Sequence, residues 1–380
     1  MSKKLTYLKV FFLSFVLFLV FFTGCIEDKQ SSDVCEDKSL NVIRLNSPSI
    51  LPDWEDGDYH SYKDTVQMLN NFKLRYPELV DVFRIGTSVL GKEIKCIRIS
   101  NNKNNTEKYT CLIDGCIHGS EWEAGEACLY LSEYLIINFG KNKTISNILN
   151  KTIVYIVPLV NPDGRDDDYR YNENGIDLNR NFDIDFGRLR GHCMPIGKIF
   201  GKKIPYLSFP RLNIWFTNSG RRPFSEPETQ AIRSLMRFLD NERFSFYINC
   251  HTATHSINTP WSAFRPPFQL TTQESIVYDS IRKWVSENTE YEDNPLWYKA
   301  SGTAPDWCFK EFRIPSVTFE ILSMDYEPGS GGGRHDNLVH WMKTTTPVFM
   351  FMLENAENLY LWEVPDIEPT LPEGVPPEPL

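Results

Sequence analysis

The sequence predicts an α/β domain with a largely parallel or mixed sheet. Its short apolar runs are mostly continuous and not alternating, which is typical of strands covered on both faces. Longer segments with the helical period separate these runs, and strands that alternate with helices build this class of fold. With 380 residues, 41% of them hydrophobic, the chain can fill a large core, which excludes wholesale disorder and collagen-like or coiled-coil designs.

The predicted elements follow one another along the chain. A first helix is predicted at residues 62–72. Strands are predicted at 93–100, 109–117, 152–160, 244–249 and 316–322. Further helices are predicted at 121–139, 226–241, 272–288 and 337–355. In such sheets, ligand-binding sites form at the carboxyl ends of the strands, so functional residues are expected there.

The first 25 residues have the pattern of a secretory signal. Lys3, Lys4 and Lys9 precede an apolar run at 10–22, which closes on Gly24-Cys25. This run is shorter than the ~20 apolar residues that a spanning helix needs. Gly-Cys at the cleavage point resembles the lipobox of prokaryotic lipoproteins, which implies a lipidated Cys25 and a body outside the cytoplasm. An uncleaved signal anchor is the alternative.

Charge varies strongly along the chain. The net charge is −10, and removal of residues 1–24, with three lysines and no acid, makes it −13, which argues against a nucleic-acid partner. Residues 25–60 are predicted to be a tether, 61–358 the folded domain and 359–380 a Pro-rich acidic tail. Segment 186–222, in contrast, has eight Lys or Arg and no acid. It is either a solvated loop or a lid that contacts acidic substrates or lipid headgroups.

Eight cysteines remain besides Cys25. An exported location permits disulfides, but no pairing can be assigned from the sequence. Cys96, Cys111, Cys116 and Cys250 lie in apolar strand-like runs, where a reduced cysteine packs as a small hydrophobe.

A first candidate site follows the strand predicted at 109–117. The chain continues with His118-Gly-Ser-Glu121, and Ser120 with Glu123 matches a capping box. This box predicts Glu121 in the first helical turn and His118 in the loop before it. An imidazole and a carboxylate then converge at one strand end.

His251 follows the strand predicted at 244–249. Two histidines and a glutamate at strand ends match the pattern of a catalytic zinc site, which leaves a fourth position to water. The alternative for His251 is a hydrogen-bonded core histidine.

Glu320 stands in the apolar middle of the strand predicted at 316–322. An unpaired carboxylate is costly to bury, so a buried ion pair or a strand-end position is the alternative. Beside an activated water this carboxylate can take the proton.

The segment 169–182 is rich in hydrogen-bond donors. It contains Arg170, Arg180, Asn179 and Asn181, a grouping suited to anionic oxygen. A solvated loop with surface arginines is the alternative.

Taken in order, these segments resemble the zinc metallocarboxypeptidase family over roughly residues 60–355. The H-x-x-E motif of the family matches His118 and Glu121, and its third zinc ligand matches His251. The resemblance implies a three-layer α/β/α domain with a mixed, mostly parallel sheet and one Zn²⁺ per chain. It also implies hydrolysis of the C-terminal peptide bond of peptides or proteins.

The D-x-N-R-N segment of the family matches 177–181. By this match Asp177 orients His118, and Asn179 and Arg180 hold the terminal carboxylate of the substrate. Tyr298 begins a segment that resembles the stretch led by the mobile tyrosine of the family, which implies that Tyr298 also holds this carboxylate. The resemblance also implies that Arg170 polarises the oxyanion and that Glu320 is the general base.

Few residues of the sequence indicate which C-terminal residue the protein prefers in a substrate. Pro305 matches the position at the base of the pocket for the terminal residue, and it offers no charge, which favours neutral or apolar terminal residues. Thr303 stands where many relatives have Gly and narrows this pocket. Two alternatives share the fold: a cell-wall peptidase that recognises a diaminopimelyl end, and a catalytically dead peptide-binding lipoprotein. The oligomeric state stays open.

Overall fold

The structure is a computed structural model. It describes Trp54 and residues 59–104, 106–188, 193–194, 198–199, 202–203, 206–209, 214–252, 254–293, 299–322 and 338–366. All of them lie in one compact unit, Ser47–Leu380. The predicted signal peptide, Cys25, Tyr298 and the tail from residue 367 lie outside the described residues. None of the helices in the described ranges is long and apolar enough to cross a bilayer.

A mixed sheet of seven strands forms the centre of the described domain, in the order β1-β2-β4-β3-β10-β12-β11. The strands are β1 (Val80–Thr87), β2 (Glu93–Ile99), β3 (Tyr109–Asp114), β4 (Thr152–Val157), β10 (Phe244–His251), β11 (Ser256–Asn258) and β12 (Ser316–Glu320). Its four inner strands β4, β3, β10 and β12 run parallel, whereas the flanking pairings are antiparallel. The predicted fold class is confirmed.

Burial explains why the inner strands were recognisable. Every residue of β3 and β10 is buried, which a continuous apolar run requires when helices cover both faces. β1 lies at the edge of the sheet and exposes several positions. Its mixed sequence, VDVFRIGT, has no continuous apolar run, so it was not predicted.

Helices flank the sheet. They are α1 (Tyr62–Arg75), α2 (Trp122–Asn138), α3 (Lys143–Lys151), α4 (Pro162–Asp166), α5 (Pro227–Leu239), α6 (Thr272–Asn288), α7 (Ala304–Phe312), α8 (Leu338–Glu354) and α9 (Ala356–Tyr360). α6 begins with the capping box that Thr271 and Glu274 form. α2 is buried along almost its whole length, so it belongs to the core.

The basic segment 186–222 contains short strands. They are β5 (Cys193–Met194), β6 (Lys198–Ile199), β7 (Lys202–Lys203), β8 (Tyr206–Phe209) and β9 (Ile214–Asn218). β5, β9 and β8 form one small sheet, and β6 with β7 forms a hairpin. The segment therefore has regular structure where a loop was expected, because its strands pair with each other and need no apolar periodicity of their own.

Residues just outside the predicted domain limits, 61 and 358, pack against the domain. Trp54 is buried, and its indole N–H donates to Glu133 at 2.7 Å. His60 Nδ1 lies 2.7 Å from Glu126. At the other end, the Trp362 indole donates to the Arg313 carbonyl at 2.7 Å. The domain thus includes residues from the ranges predicted as tether and tail.

The described cysteines agree with reduced packing. Cys96, Cys111, Cys116, Cys128, Cys250 and Cys308 are all buried and carry free thiols. The expectation that those in strand-like runs pack as small hydrophobes is confirmed.

Candidate active site

Three neighbouring parallel strands end at one edge of the sheet, and each end carries a polar residue. Asp114 ends β3, His251 ends β10 and Glu320 ends β12. Asn249 on β10 pairs with Asp114, and His251 pairs with Glu320. Residues from distant parts of the chain therefore meet at this edge, as the sequence predicted.

Glu121 lies between two imidazoles. Its Oε1 is 2.7 Å from His118 Nδ1 and its Oε2 is 2.8 Å from His251 Nδ1. All three side chains are buried, and one donor atom from each lies within 4.8 Å of the others. Burial opposes ionisation of Glu121, but the charges of the two histidines lower the pKa of its carboxyl below its ordinary value.

The loop before α2 directs Glu121 toward the histidines. The capping box predicted between Ser120 and Glu123 is wrong: Glu121 itself is the N-cap residue, without a side-chain cap hydrogen bond. The Glu123 carboxylate instead accepts a hydrogen bond from the Tyr59 hydroxyl at 2.6 Å. The loop is also packed tightly, since a Cβ on Gly119 would lie 2.1 Å from the Gly164 backbone.

The second nitrogen of each imidazole faces a buried oxygen. His118 Nε2 is 3.0 Å from Asp177 Oδ1, and His251 Nε2 is 2.6 Å from Asn249 Oδ1. An acceptor at Nε2 favours a proton there, which leaves the Nδ1 lone pair for a metal ion. Both Nδ1 atoms face the Glu121 carboxylate, a position from which neutral imidazoles could bind a metal ion.

Asp177 also anchors Arg170. The Arg170 guanidinium donates to Asp177 Oδ2 through Nε at 3.2 Å and Nη2 at 3.1 Å. Its Nη1 donates to Glu121 Oε1 at 3.1 Å. Burial opposes ionisation of Asp177, but Arg170, His118 and Arg180 hold the pKa of its carboxyl well below the usual range. The carboxylate thus stays ionised and fixes a cation at the mouth of the site.

Asn179 and Arg180 lie in a short 3₁₀ turn, Leu178–Arg180, and both are buried. Asn179 Oδ1 accepts a hydrogen bond from the Ala304 backbone at 2.8 Å, so its NH₂ group points toward the site. Gly302 has a φ of +73°, and a Cβ there would lie 2.3 Å from the Arg180 carbonyl. Glycine is therefore required where the segment before α7 crosses Arg180.

Glu320 is buried beside this group, 5% exposed. Its Oε2 accepts no hydrogen bond from any described residue. Desolvation raises the pKa of its carboxyl above the ordinary value, while the nearby charge of His251 opposes this shift. Such an unsatisfied buried carboxylate is costly to keep, which makes it a candidate for chemistry.

The residues fit a zinc ion. Two imidazole nitrogens and one carboxylate are the ligand types of catalytic zinc sites, which use three protein ligands. Each imidazole has its other nitrogen held by a buried acceptor, as zinc-binding histidines usually do. Residues 65–331 match the family model described as zinc carboxypeptidase.

The chain belongs to the zinc carboxypeptidase family.

Curated relatives agree with the family. Carboxypeptidase A6 of Mus musculus is 25% identical over 323 residues, which cover 80% of this chain and 68% of that protein. Carboxypeptidase D of Homo sapiens is 30% identical over 324 residues, or 75% of this chain and 21% of that protein. For mast cell carboxypeptidase A of Mus musculus, 25% identical over 288 residues, the shares are 69% and 63%. The chain thus spans only part of these relatives.

Solved structures share the fold. Bovine thrombin-activatable fibrinolysis inhibitor, in complex with tick carboxypeptidase inhibitor, superposes with a TM-score of 0.61 at 21% identity, covering 80% of this chain and 97% of that one. Carboxypeptidase A from Helicoverpa armigera gives a TM-score of 0.61 at 22% identity, covering 80% and 74%. The seven-stranded mixed sheet is therefore the zinc carboxypeptidase fold.

A small polar pocket lies beside Asn179 in this member of the family. Thr303 and Pro305 line it, together with Asn258, Thr259, Ser262 and Thr318. Its free space is about 20 Å³. Asp306, at its floor, already accepts hydrogen bonds from Ser262 Oγ at 2.6 Å and the Ala263 backbone at 2.7 Å. The expected substrate-binding residue Tyr298 lies outside the described residues.

The structure adds residues that the sequence analysis missed. Asn249 touches His251, Thr217 donates to Asp177 Oδ2 at 3.1 Å, and Asn258 lines the pocket. A signal for Asn249 existed, because residues i and i+2 of a strand share a face. Asn249 precedes His251 by two residues and therefore points to the same side of β10.

Proposed function

We propose that this chain is a zinc-dependent carboxypeptidase that hydrolyses the C-terminal peptide bond of peptides or proteins. The observation that carries the proposal is the convergence of His118, Glu121 and His251 with the unsatisfied buried carboxylate of Glu320. The family match supports the same reaction class. A dead site is not favoured, because the ligand trio, an acid–base group and an anion-binding arginine are all present.

Each residue has a defined task in the proposed reaction. When bound, zinc lowers the pKa of a water ligand and polarises the scissile carbonyl. Glu320 takes the proton of the attacking water and passes it to the leaving amine. Arg170, held in place by Asp177, donates to the oxygen on which negative charge develops. In other enzymes, one such donor contributes about 3–4 kcal/mol.

Asn179 and Arg180 give the proposed enzyme its preference for chain ends. The NH₂ group of Asn179 faces the site, and the positive charge of the buried Arg180 acts on the Asp177 and Glu320 carboxyls. A free carboxylate is recognised well by such donors, whereas an amidated end has no charge to pair. Cleavage should therefore require a free C-terminus.

The pocket lining favours a small, uncharged terminal side chain. Asn258 Oδ1 is buried and accepts no hydrogen bond from the described residues. The Asp306 carboxylate is already hydrogen-bonded, and burial raises its pKa, so it offers little charge to a Lys or Arg side chain. The sequence favoured neutral or apolar terminal residues. Among the neutral ones, the polar lining of the pocket favours serine and threonine.

Blocked dipeptides test the proposal directly. Purified protein should hydrolyse substrates with a free C-terminal residue, and amidated versions should be at least about 100-fold poorer, since they lose a charge-assisted contact. A zinc chelator should abolish the activity and added zinc should restore it. Hydrolysis that persists at full rate in chelator, or that ignores amidation, contradicts the proposed function.

Replacing Thr303 with glycine tests the pocket. This change removes the side chain that narrows the pocket, and Thr303 makes no side-chain cap for α7. The ratio of kcat/KM for a leucine-ended substrate over a serine-ended one should rise about 10-fold or more, because each accommodated methylene is worth about 1–3 kcal/mol. Steady-state kinetics on matched dipeptides measure it. An unchanged ratio would mean that another residue limits the pocket.

We also propose export of the protein with a lipid on Cys25, on the basis of residues 1–25 alone. Fatty-acid labelling of the expressed chain, compared with Cys25→Ser, tests this proposal. Equal labelling of both chains would refute it.

A further inference from the structure

We propose that Asp114 and Asn249 act as positioning residues that hold His251 in its metal-binding form. Together with His251 they form a buried hydrogen-bonded chain, called here the Asp114 relay. The proposal rests on the zinc site of the proposed function. It assigns a role to two polar side chains that are not themselves among the proposed zinc ligands.

The geometry of the relay is set by strand pairing. Asp114 ends β3, and Asn249 is its direct partner on β10. Both side chains are fully buried. Asn249 Nδ2 donates to Asp114 Oδ1 at 2.6 Å, and the Tyr247 hydroxyl donates to Asp114 Oδ2 at 2.8 Å. A buried carboxylate with two such donors is satisfied.

The carboxylate fixes which way the Asn249 amide points. Burial raises the pKa of the Asp114 carboxyl to about 7, while the hydrogen bonds from Asn249 and Tyr247 favour its ionised form. The ionised carboxylate only accepts hydrogen bonds, so in this form the NH₂ group of Asn249 must face Asp114. The Oδ1 atom of the same amide is then forced toward His251 Nε2, 2.6 Å away. Because Oδ1 is an acceptor, Nε2 must carry the proton. In the neutral imidazole, Nδ1, which faces Glu121, then keeps the lone pair that a metal ion needs.

A second amide near His251 cannot replace Asn249. Asn179 Nδ2 lies 3.0 Å from His251 Nε2. The Oδ1 atom of Asn179 accepts from the Ala304 backbone, so only its donor side faces the imidazole. Without the Asn249 carbonyl, that donor would favour a bare Nε2 and a proton on Nδ1. This tautomer cannot bind zinc through Nδ1.

His118 and His251 are thus held by different means. His118 is held directly by a carboxylate, Asp177. His251 is held by a neutral amide with a carboxylate, Asp114, one step farther away. The arrangement sets the tautomer of His251 without placing another negative charge against it.

The experiment measures zinc affinity by chelator competition, without substrate. Asn249→Ala should weaken zinc binding by about 10- to 100-fold, as loss of a group that orients a ligand does. The double exchange Asp114→Asn with Asn249→Asp reverses the donor and acceptor but keeps every hydrogen bond of the relay. It should bring the affinity back to within about 5-fold of the original protein.

Ser245→Ala is the matched control. Ser245 is buried on the same strand and donates to the Ala356 carbonyl, but it does not touch the relay. It should lower the stability of the zinc-free protein without changing zinc affinity. In the zinc-free protein, the proton resonance of His251 Nε2–H should be present in the original protein and the double exchange, and absent in Asn249→Ala.

Two results would overturn the proposal. One is Asn249→Ala that folds and binds zinc as the original protein does. The other, decisive even if Asn249→Ala does not fold, is a folded double exchange with zinc affinity reduced by 10-fold or more. Because no measurement uses a substrate, failure of the proposed peptidase activity would leave these results interpretable, whereas failure of the relay would leave the peptidase activity standing.

Discussion

Glu320→Gln is expected to give a folded, zinc-binding protein whose turnover falls by about 10²–10⁴-fold, the contribution of general acid–base catalysis. Glutamine keeps the size of the side chain but cannot take a proton from the attacking water. The substitution also removes a buried carboxylate with an oxygen that lacks a partner among the described residues. Stability should therefore be kept or slightly increased.

The measurement is kcat on a blocked dipeptide, together with zinc content and thermal unfolding. Glu228→Gln is the matched control: Glu228 is also buried and hydrogen-bonded, to the Val89 backbone at 3.0 Å and to Asn172 at 3.1 Å. It does not touch the metal-binding trio. Its turnover should stay within a few-fold of the original protein. A Glu320→Gln protein that keeps more than about a tenth of the turnover would assign the proton transfer to another group.

The edge of the sheet that carries the candidate active site was predicted correctly because the ends of buried strands can be recognised in the sequence. A buried parallel strand is a continuous apolar run, and the polar residue after it marks the edge of the sheet. His118 and His251 were found in this way. Glu320 was found because a carboxylate within an apolar run is unusual.

The hydrogen-bond partners of these residues could not be read in the same way. Asn249 binds Asp114 across 135 positions of sequence, and this contact exists only once β3 and β10 are paired in one register. The capping box failed for a related reason: Tyr59, 64 residues away, takes the Glu123 carboxylate. Local patterns predict elements, but tertiary partners decide which local hydrogen bond forms.

The small strands of segment 186–222 were missed on other physical grounds. Their residues pair with one another in a separate sheet and do not extend the central one. A strand is recognised in the sequence by a continuous apolar run when both faces are covered, or by alternation when one face is, and both patterns need a core to pack against. A basic, turn-rich segment does not display that signal.

His251→Ala is expected to have the largest effect on metal binding. It removes one of the three proposed protein ligands, and a zinc site worth about 10–16 kcal/mol over four ligands loses roughly 3 kcal/mol per ligand. Zinc affinity should therefore fall by at least about 100-fold, and turnover should become undetectable at stoichiometric zinc. This loss should equal or exceed that of Asn249→Ala, because a ligand contributes more than the group that orients it.

His255→Ala is the control that makes this prediction specific. His255 follows His251 by four residues, but its ring packs against Tyr291 at 4.5 Å and Trp341 at 5.4 Å between centroids, away from the metal-binding trio. Its replacement should cost packing energy and leave zinc affinity unchanged. Calorimetric titration of zinc into each protein separates the two outcomes. Equal zinc affinities for the two variants would contradict the assignment of His251 as a ligand.

Thermal unfolding is a second measurement of the difference in zinc affinity between His251→Ala and His255→Ala. A ligand that binds only the folded protein stabilises it by RT ln(1 + [L]/Kd), so excess zinc should raise the Tm of the original protein and of His255→Ala. In His251→Ala the rise should be smaller by about 2.7 kcal/mol of stabilisation at the same free zinc, for a 100-fold loss of affinity. Because His255→Ala should lower the zinc-free Tm while its zinc-induced rise stays intact, packing loss and ligand loss move these two quantities independently.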